Sequence, residues 1–338
     1  MSQTNGLENS SHSSNQGVTC ILQPVAHQSE VFPWVYLCLA LLGFLANGLV
    51  LFHLRRTKRK PTVIFSLNIV ASDIIQCFSL FFRMSYYLKA DKWQAEDVMC
   101  GITIFVSVTV FYINVYCNML FLLWVSISRY ATVAQPKHTI LRAFRNARLC
   151  RRICQVTWLA IVLVTGTHMI YKEIKGAGTK GSCFDHMNNR KKTNSNSIFA
   201  IGLVIFYPIL IVMLSSYTLL LYHLQRIHRS SQVSQTQGSG GGLRVKRKVL
   251  VSALVFLTCF LPYHIQRSIM ILSPELSCDI EQKHFRVKTN TILVAAFNCF
   301  LNPVLYLTFR MACCRGRRRN SGAGTHDTHN TGESATHT

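Results

Sequence analysis

Apolar residues gather into seven long stretches, at roughly 31–54, 62–88, 98–127, 153–171, 197–222, 249–272 and 287–309, separated by shorter polar segments. Each stretch is near the ~20 residues that a helix needs to cross the hydrocarbon core of a bilayer. Inside that core every backbone N–H and C=O must be satisfied within its own segment, so each stretch is expected to be a helix. Composition points the same way: 49% of residues are hydrophobic and only 14% charged, against about 25% charged in soluble domains. The expected fold is an all-α membrane protein, a seven-helix bundle over residues 31–315 with a short amphipathic helix after the seventh span. A polar tail, 1–30, precedes it and a disordered tail, 316–338, follows.

Charge sets the expected orientation. The loop after the first span carries Arg55, Arg56, Lys58, Arg59 and Lys60. The loop after the third adds Lys137, Arg142, Arg145, Arg148, Arg151 and Arg152, and the one after the fifth adds Arg226, Arg229, Arg244, Lys246, Arg247 and Lys248. None of these three contains an acid, whereas the alternate loops mix both signs, so the basic set is expected to face the cytosol. With an odd number of spans the N-terminus is then extracellular and the C-terminus cytoplasmic. The first thirty residues lack a signal-peptide core, which makes the first span an uncleaved signal anchor. The net charge of +23 would suit nucleic acid in another setting. Here topology and the anionic inner leaflet of the lipid bilayer account for it, and no nucleic-acid partner is expected.

Of thirteen cysteines, six lie within predicted spans as small core residues. Cys20, Cys100, Cys183 and Cys278 fall on the oxidising outer face, with Cys100–Cys183 and Cys20–Cys278 as the expected disulfides. Asn9 heads a glycosylation sequon on that face, a short and only mildly informative pattern. Residues 228–242 and 320–338 are too polar to pack and read as mobile.

Polar residues deep in the spans are costly and so mark function. Asn47, Asp73, Asn114, Asn118, Arg129, Asn298 and Asn302 qualify. Their settings are Ala46-Asn47 in span one, Leu67-Asn68-Ile69-Val70-Ala71-Ser72-Asp73 in span two, Ser128-Arg129-Tyr130 ending span three, and Trp158 in span four. Span five has Pro208 with Tyr217 beyond it, span six runs from Phe256 through Phe260 and Pro262 to Tyr263, and span seven closes with Asn302-Pro303-Val304-Leu305-Tyr306. Seven motifs in this order, each on its span, resemble the rhodopsin-like G-protein-coupled receptors. Tyr263-His264-Ile265-Gln266-Arg267, the basic Lys288 and a Cys20–Cys278 link resemble the purinergic nucleotide-receptor branch.

The resemblance implies a multi-pass plasma-membrane receptor that passes an extracellular signal to a heterotrimeric G protein. Arg83, Arg267 and Lys288, with Tyr112, Tyr263 and His264 beside them, suit an anionic small-molecule ligand, since Arg grips phosphate or carboxylate bidentately and Lys adds a point charge. Snorkelling to the headgroups is the plainer reading of Arg83 and Lys288. Phe111 stands where amine receptors carry an aspartate, so a monoamine is not expected. Asp73 with Asn118, Asn298 and Asn302 resembles a sodium pocket, the plain alternative being a hydrogen-bonded buried acid. Arg129, Tyr130, Pro208, Tyr217, Phe260, Pro262, Pro303 and Tyr306 are the implied switching and coupling residues, the prolines acting as hinges because each removes a backbone donor. Tyr217 lies one residue further from Pro208 than is usual in the family. Ser128 replaces the family's acid before Arg129, and Gly242 stands where many receptors place a second acid. Cys313 and Cys314 follow the seventh span as palmitoylation candidates, with free thiols as the alternative.

An enzyme would need a catalytic constellation, and His53, His168, His223 and His264 are scattered over different spans. A transporter would show internal repeats or paired broken helices, and the chain has neither. A non-signalling scavenger or scaffold of the same fold is the nearest rival, supported by Ser128.

Overall fold

The computed structural model describes residues 20–21, 26–89, 98–134, 138–176, 186–187, 189–233, 240–273 and 277–309. In chain order these form β1 (Cys20–Ile21), α1 (Ala26–Arg55), α2 (Pro61–Leu88), α3 (Val98–Ala134), α4 (Thr139–Ala143), α5 (Ala147–Gly176), β2 (His186–Met187), α6 (Asn189–Val233), α7 (Gly240–Leu272) and α8 (Cys278–Ala296). After a turn at Phe297 the chain is helical again over 298–309. Seven helices, with α8 and its continuation taken as one, are long and apolar enough to cross a bilayer. The bundle expected from the sequence is therefore present; β1 and β2 form a single two-residue antiparallel ladder, Cys20 opposite Met187. Asn9 and the rest of residues 1–19, Cys183, Cys313, Cys314, the amphipathic stretch and the C-terminal tail lie outside the described residues.

The helices overrun the expected spans because a formed helix adds one hydrogen bond per residue fixed and continues into the polar interface. Arg148, Arg151 and Arg152, expected in a loop, ride on the first turns of α5, and Ser230 to Val233 extend α6. At the start of α8, Ser277 is the N-cap, and Asp279 and Glu281 sit in the first turn, where a negative charge meets the positive end of the helix dipole.

Outward faces are apolar. Leu41, Leu45 and Leu49 on α1 and Val156, Leu159 and Leu163 on α5 are all exposed, a surface stable only against lipid. Inward faces meet around α3, which packs on α2, α5 and α6. Polar groups lock the helices together where the hydrophobic effect is absent. Trp158 Nε1 of α5 donates to Asn68 Oδ1 of α2 at 3.0 Å. Pro303 has no N–H to give the Cys299 carbonyl, and Asn47 Nδ2 of α1 takes its place at 2.8 Å. Gly43 lets α1 approach closely: a Cβ there would lie 2.5 Å from Cys77 Sγ.

Candidate functional site

Two cavities gather several of the ligand and switching residues singled out from the sequence. The larger, of about 390 Å³, lies among α3, α5, α6 and α7, within the ~300–1,000 Å³ of small-molecule sites. Tyr112 and Tyr116 line it from α3; at a spacing of four they share one helix face, and their rings stack with centroids 6.4 Å apart. Tyr263, His264 and Arg267 come from α7, again within one turn. Arg267 Nη2 donates to Tyr112 Oη at 2.7 Å and Nε to Tyr263 Oη at 3.3 Å, while Tyr263 Oη donates to Tyr112 Oη at 3.1 Å. Two tyrosine hydroxyls thus fix the guanidinium on the cavity wall. The His264 ring stacks on Phe206 of α6 at 3.7 Å, and its Nε2 is buried without a hydrogen-bond partner.

Arg83 and Lys288 do not line this cavity. Arg83 points between α1 and α3, donating to the Ser107 carbonyl at 3.2 Å with its guanidinium 5.4 Å from the Phe111 ring and 5.9 Å from Tyr36. Lys288 Nζ lies 5.8 Å from the Phe285 ring. The sequence-based set of three converging cations reduces to one in the cavity, because helix rotation turns α2's arginine into the α1–α3 seam. Tyr116, Thr165, His168 and Gly202 also line the cavity and were not singled out as ligand residues. The four-residue step from Tyr112 to Tyr116 was a usable signal. Gly202 had none, although a Cβ on it would run into Tyr116 Oη.

The smaller cavity, about 70 Å³, runs from Asp73 and Asn302 to Arg129, Tyr217, Pro303 and Tyr306. Asp73 is fully buried. Its Oδ1 accepts from Asn118 Nδ2 at 2.8 Å and Asn114 Nδ2 at 3.1 Å, and its Oδ2 from Asn302 Nδ2 at 3.2 Å. Asn114 belongs to this network beyond the set expected from the sequence. Asn298 is equally buried, and neither of its amide atoms has a hydrogen-bond partner, nor does Asn118 Oδ1. Phe260 lies in the core shared by α3, α6 and α7, edge-on to Phe256 at 5.2 Å. Tyr130 lies apart, against His223 at 5.9 Å. Pro208 and Pro262 sit inside α6 and α7. Ser128 donates to the Phe144 carbonyl at 3.4 Å, which ties the end of α3 to the α4–α5 corner where Trp124 stacks on Phe144 at 5.7 Å.

Cys278 is disulfide-bonded. Cys38, Cys77, Cys117, Cys150, Cys154, Cys259 and Cys299 are free. The side chains of Cys20 and Cys100 lie outside those described.

Seven apolar helices, a proline in each of the last three, and a buried acid linked to the end of α3 define a membrane receptor. The family model described as 7 transmembrane receptor (rhodopsin family) matches residues 46–306. The chain belongs to that family, and is accordingly a multi-pass plasma-membrane protein of the G-protein-coupled signalling receptors rather than an enzyme. It is 28% identical over 314 residues to G-protein coupled receptor 68 of Bos taurus, covering 91% of this chain and 82% of that one. Over 314 residues it is 24% identical to Probable G-protein coupled receptor 82 of Homo sapiens, 87% and 92% of the two chains. Cysteinyl leukotriene receptor 1 of Cavia porcellus is 25% identical over 287 residues, 82% and 81%.

Proposed function

We propose that the receptor binds an anionic small molecule in the larger cavity and relays its presence to a heterotrimeric G protein at the opposite end of the bundle. The observation that carries this reading is Arg267, held by two tyrosine hydroxyls on the wall of a cavity large enough for a ligand. A guanidinium with its stem already fixed loses little freedom on gripping a carboxylate or phosphate. Tyr112, Tyr263 and His264 contact the same ligand; Arg83 and Lys288 act on it only through the field of the site. One relative is by its name a receptor for cysteinyl leukotrienes.

Relay runs through the smaller cavity, which connects Asp73 with Arg129, Tyr217 and Tyr306. Hinging at Pro262 and Pro303 swings α7 and reopens that cavity to the G protein. In this topology residues 1–30 are extracellular with Asn9 glycosylated, Cys100–Cys183 and Cys20–Cys278 staple the outer loops, and Cys313 and Cys314 anchor the cytoplasmic end by palmitoylation.

Arg267→Ala is expected to cut the response to an active anion at least about tenfold, the factor that ~1.4 kcal/mol of lost binding gives. A panel of carboxylates and phosphates read by G-protein activation, with surface expression matched, checks this. Unchanged potency removes the anionic ligand.

A bound sodium ion is a second reading for the smaller cavity, favoured by the buried Asp73 carboxylate and by Asn118 Oδ1, which has no partner among the described residues while its Nδ2 donates to Asp73. A non-signalling scavenger or scaffold is the alternative to coupling, favoured by Ser128, which spends its hydroxyl on Phe144 and leaves Arg129 without an acid beside it.

A further inference from the structure

The walls of the larger cavity are unequal. α7 latches to α6 through Tyr207 Oη and Ser268 Oγ at 2.9 Å, and α6 also packs on α3. α5 packs on α3 and α2, and among the described residues its packing on α6 is weaker than on either. The side chains facing that gap show what it opens to. Val164 of α5 and Ile205 of α6 both line the cavity and are 56% and 38% exposed on the outside of the bundle. A side chain that belongs to an interior wall and to the outer surface at once marks a wall that is open there. Val164 and Ile205 both lie within the membrane-crossing stretches, Ala147–His168 and Gly202–His223, so the space outside is hydrocarbon.

Polarity changes across the cavity in the same direction. Its α3–α7 end presents Arg267, Tyr112, Tyr263 and the buried, unpartnered Nε2 of His264. Its α5–α6 end presents Ile161, Val164, Leu203 and Ile205, with His168 beside them and with Thr165 and Thr167, whose hydroxyls turn back onto carbonyls of α5 itself. A bare anion pays heavily to cross hydrocarbon toward such a gap, whereas an anion on an alkyl chain is already partitioned there and leaves its chain in an apolar setting. We infer that the cavity opens sideways into the bilayer between α5 and α6 and takes a single-chain anionic lipid, its head at Arg267 and its chain lying out through the gap. This rests on the anion reading of Arg267 above and adds to it the ligand's chain and its route.

Two heads share this chemistry, a carboxylate and a phosphate monoester, so the test carries both. The full chain in phosphatidylcholine nanodiscs is irradiated with oleate or oleoyl-lysophosphatidate, each bearing a diazirine on the chain, and the adducts are mapped by mass spectrometry. The expected result is labelling around Val164 and Ile205 about tenfold above that on Leu41 and Leu45 of α1, which face outward and line neither cavity. The unlabelled lipid should compete; butyrate and inorganic phosphate should not. The better-competed probe identifies the head. Val164→Trp, a lipid-facing change, is expected to lower the Ile205 adduct severalfold with Arg267 intact. Equal labelling of α1 and the gap overturns the inference. Arg267→Ala separates the two readings. Specific labelling that persists unchanged in this variant overturns the anionic head, whereas competition by butyrate or phosphate as strong as by the lipids keeps the anion site and overturns the lateral route.

Discussion

Asp73 shows how far one side chain can organise a membrane core. A carboxylate buried among apolar helices needs nearly all its lone pairs filled, and amides from α3 and from the seventh helix's end supply three donors. Among the described residues, Asn118 Oδ1 and both amide atoms of Asn298 stay buried with no hydrogen-bond partner. A sodium ion beside Asp73 would accept that surplus oxygen. If it does, exchanging sodium for potassium in the purified receptor lowers its melting temperature by a few degrees, since a ligand present at several times its Kd stabilises by about 1 kcal/mol. Asp73→Asn should erase the difference. Identical melting in both salts leaves a purely hydrogen-bonded acid. The sequence announced Asp73 and its asparagines, because polar residues in lipid are conspicuous. It did not say which amide atoms face the acid, or that Asn114 joins it.

At the scale of elements, the end of α3 departs furthest from the family pattern. Ser128 is fully buried and bonded to the Phe144 carbonyl, so the serine anchors α3 to the α4–α5 corner in place of an acid that would restrain Arg129. Arg129 makes no ion pair among the described residues, and it faces Tyr217 across the smaller cavity. The inactive arrangement therefore lacks one electrostatic restraint, and basal signalling should be high. Ser128→Asp is expected to lower basal G-protein activation about two- to fivefold, as a partly screened ion pair of ~0.5–1 kcal/mol would, once matched for surface expression. Equal basal activity in the two proteins would refute the missing restraint. Helix ends were the least legible elements. α5, α6 and α8 all begin before their apolar spans, because hydrophobicity marks where lipid lies and not where backbone hydrogen bonding stops.

The whole molecule is a lipid-solvated bundle, and its basic loops predict its orientation. Tags on both termini, probed on intact and then permeabilised cells, should place the N-terminus outside and the C-terminus inside. Both on one side would break the topology, and with it the assignment of Asn9 and the outer cysteines. At this scale the uneven closure of the bundle is the feature with functional weight. Every membrane helix finds neighbours, but α5 and α6 find theirs in other helices more than in each other, beside the cavity that carries Arg267.

Seven helices, their order, their charged ends and the family motifs were already written in the linear chain, because lipid solvation imposes a length and polarity rule that each segment obeys on its own. Convergence was not. Whether Arg83 and Arg267 share a site depends on the rotation of α2 and α7 about their axes, and that is set by side chains packing across helices far apart in sequence. Gly202 under Tyr116, Asn47 on the carbonyl freed by Pro303, and the gap between α5 and α6 exist only once those helices meet, so only the tertiary structure could decide them.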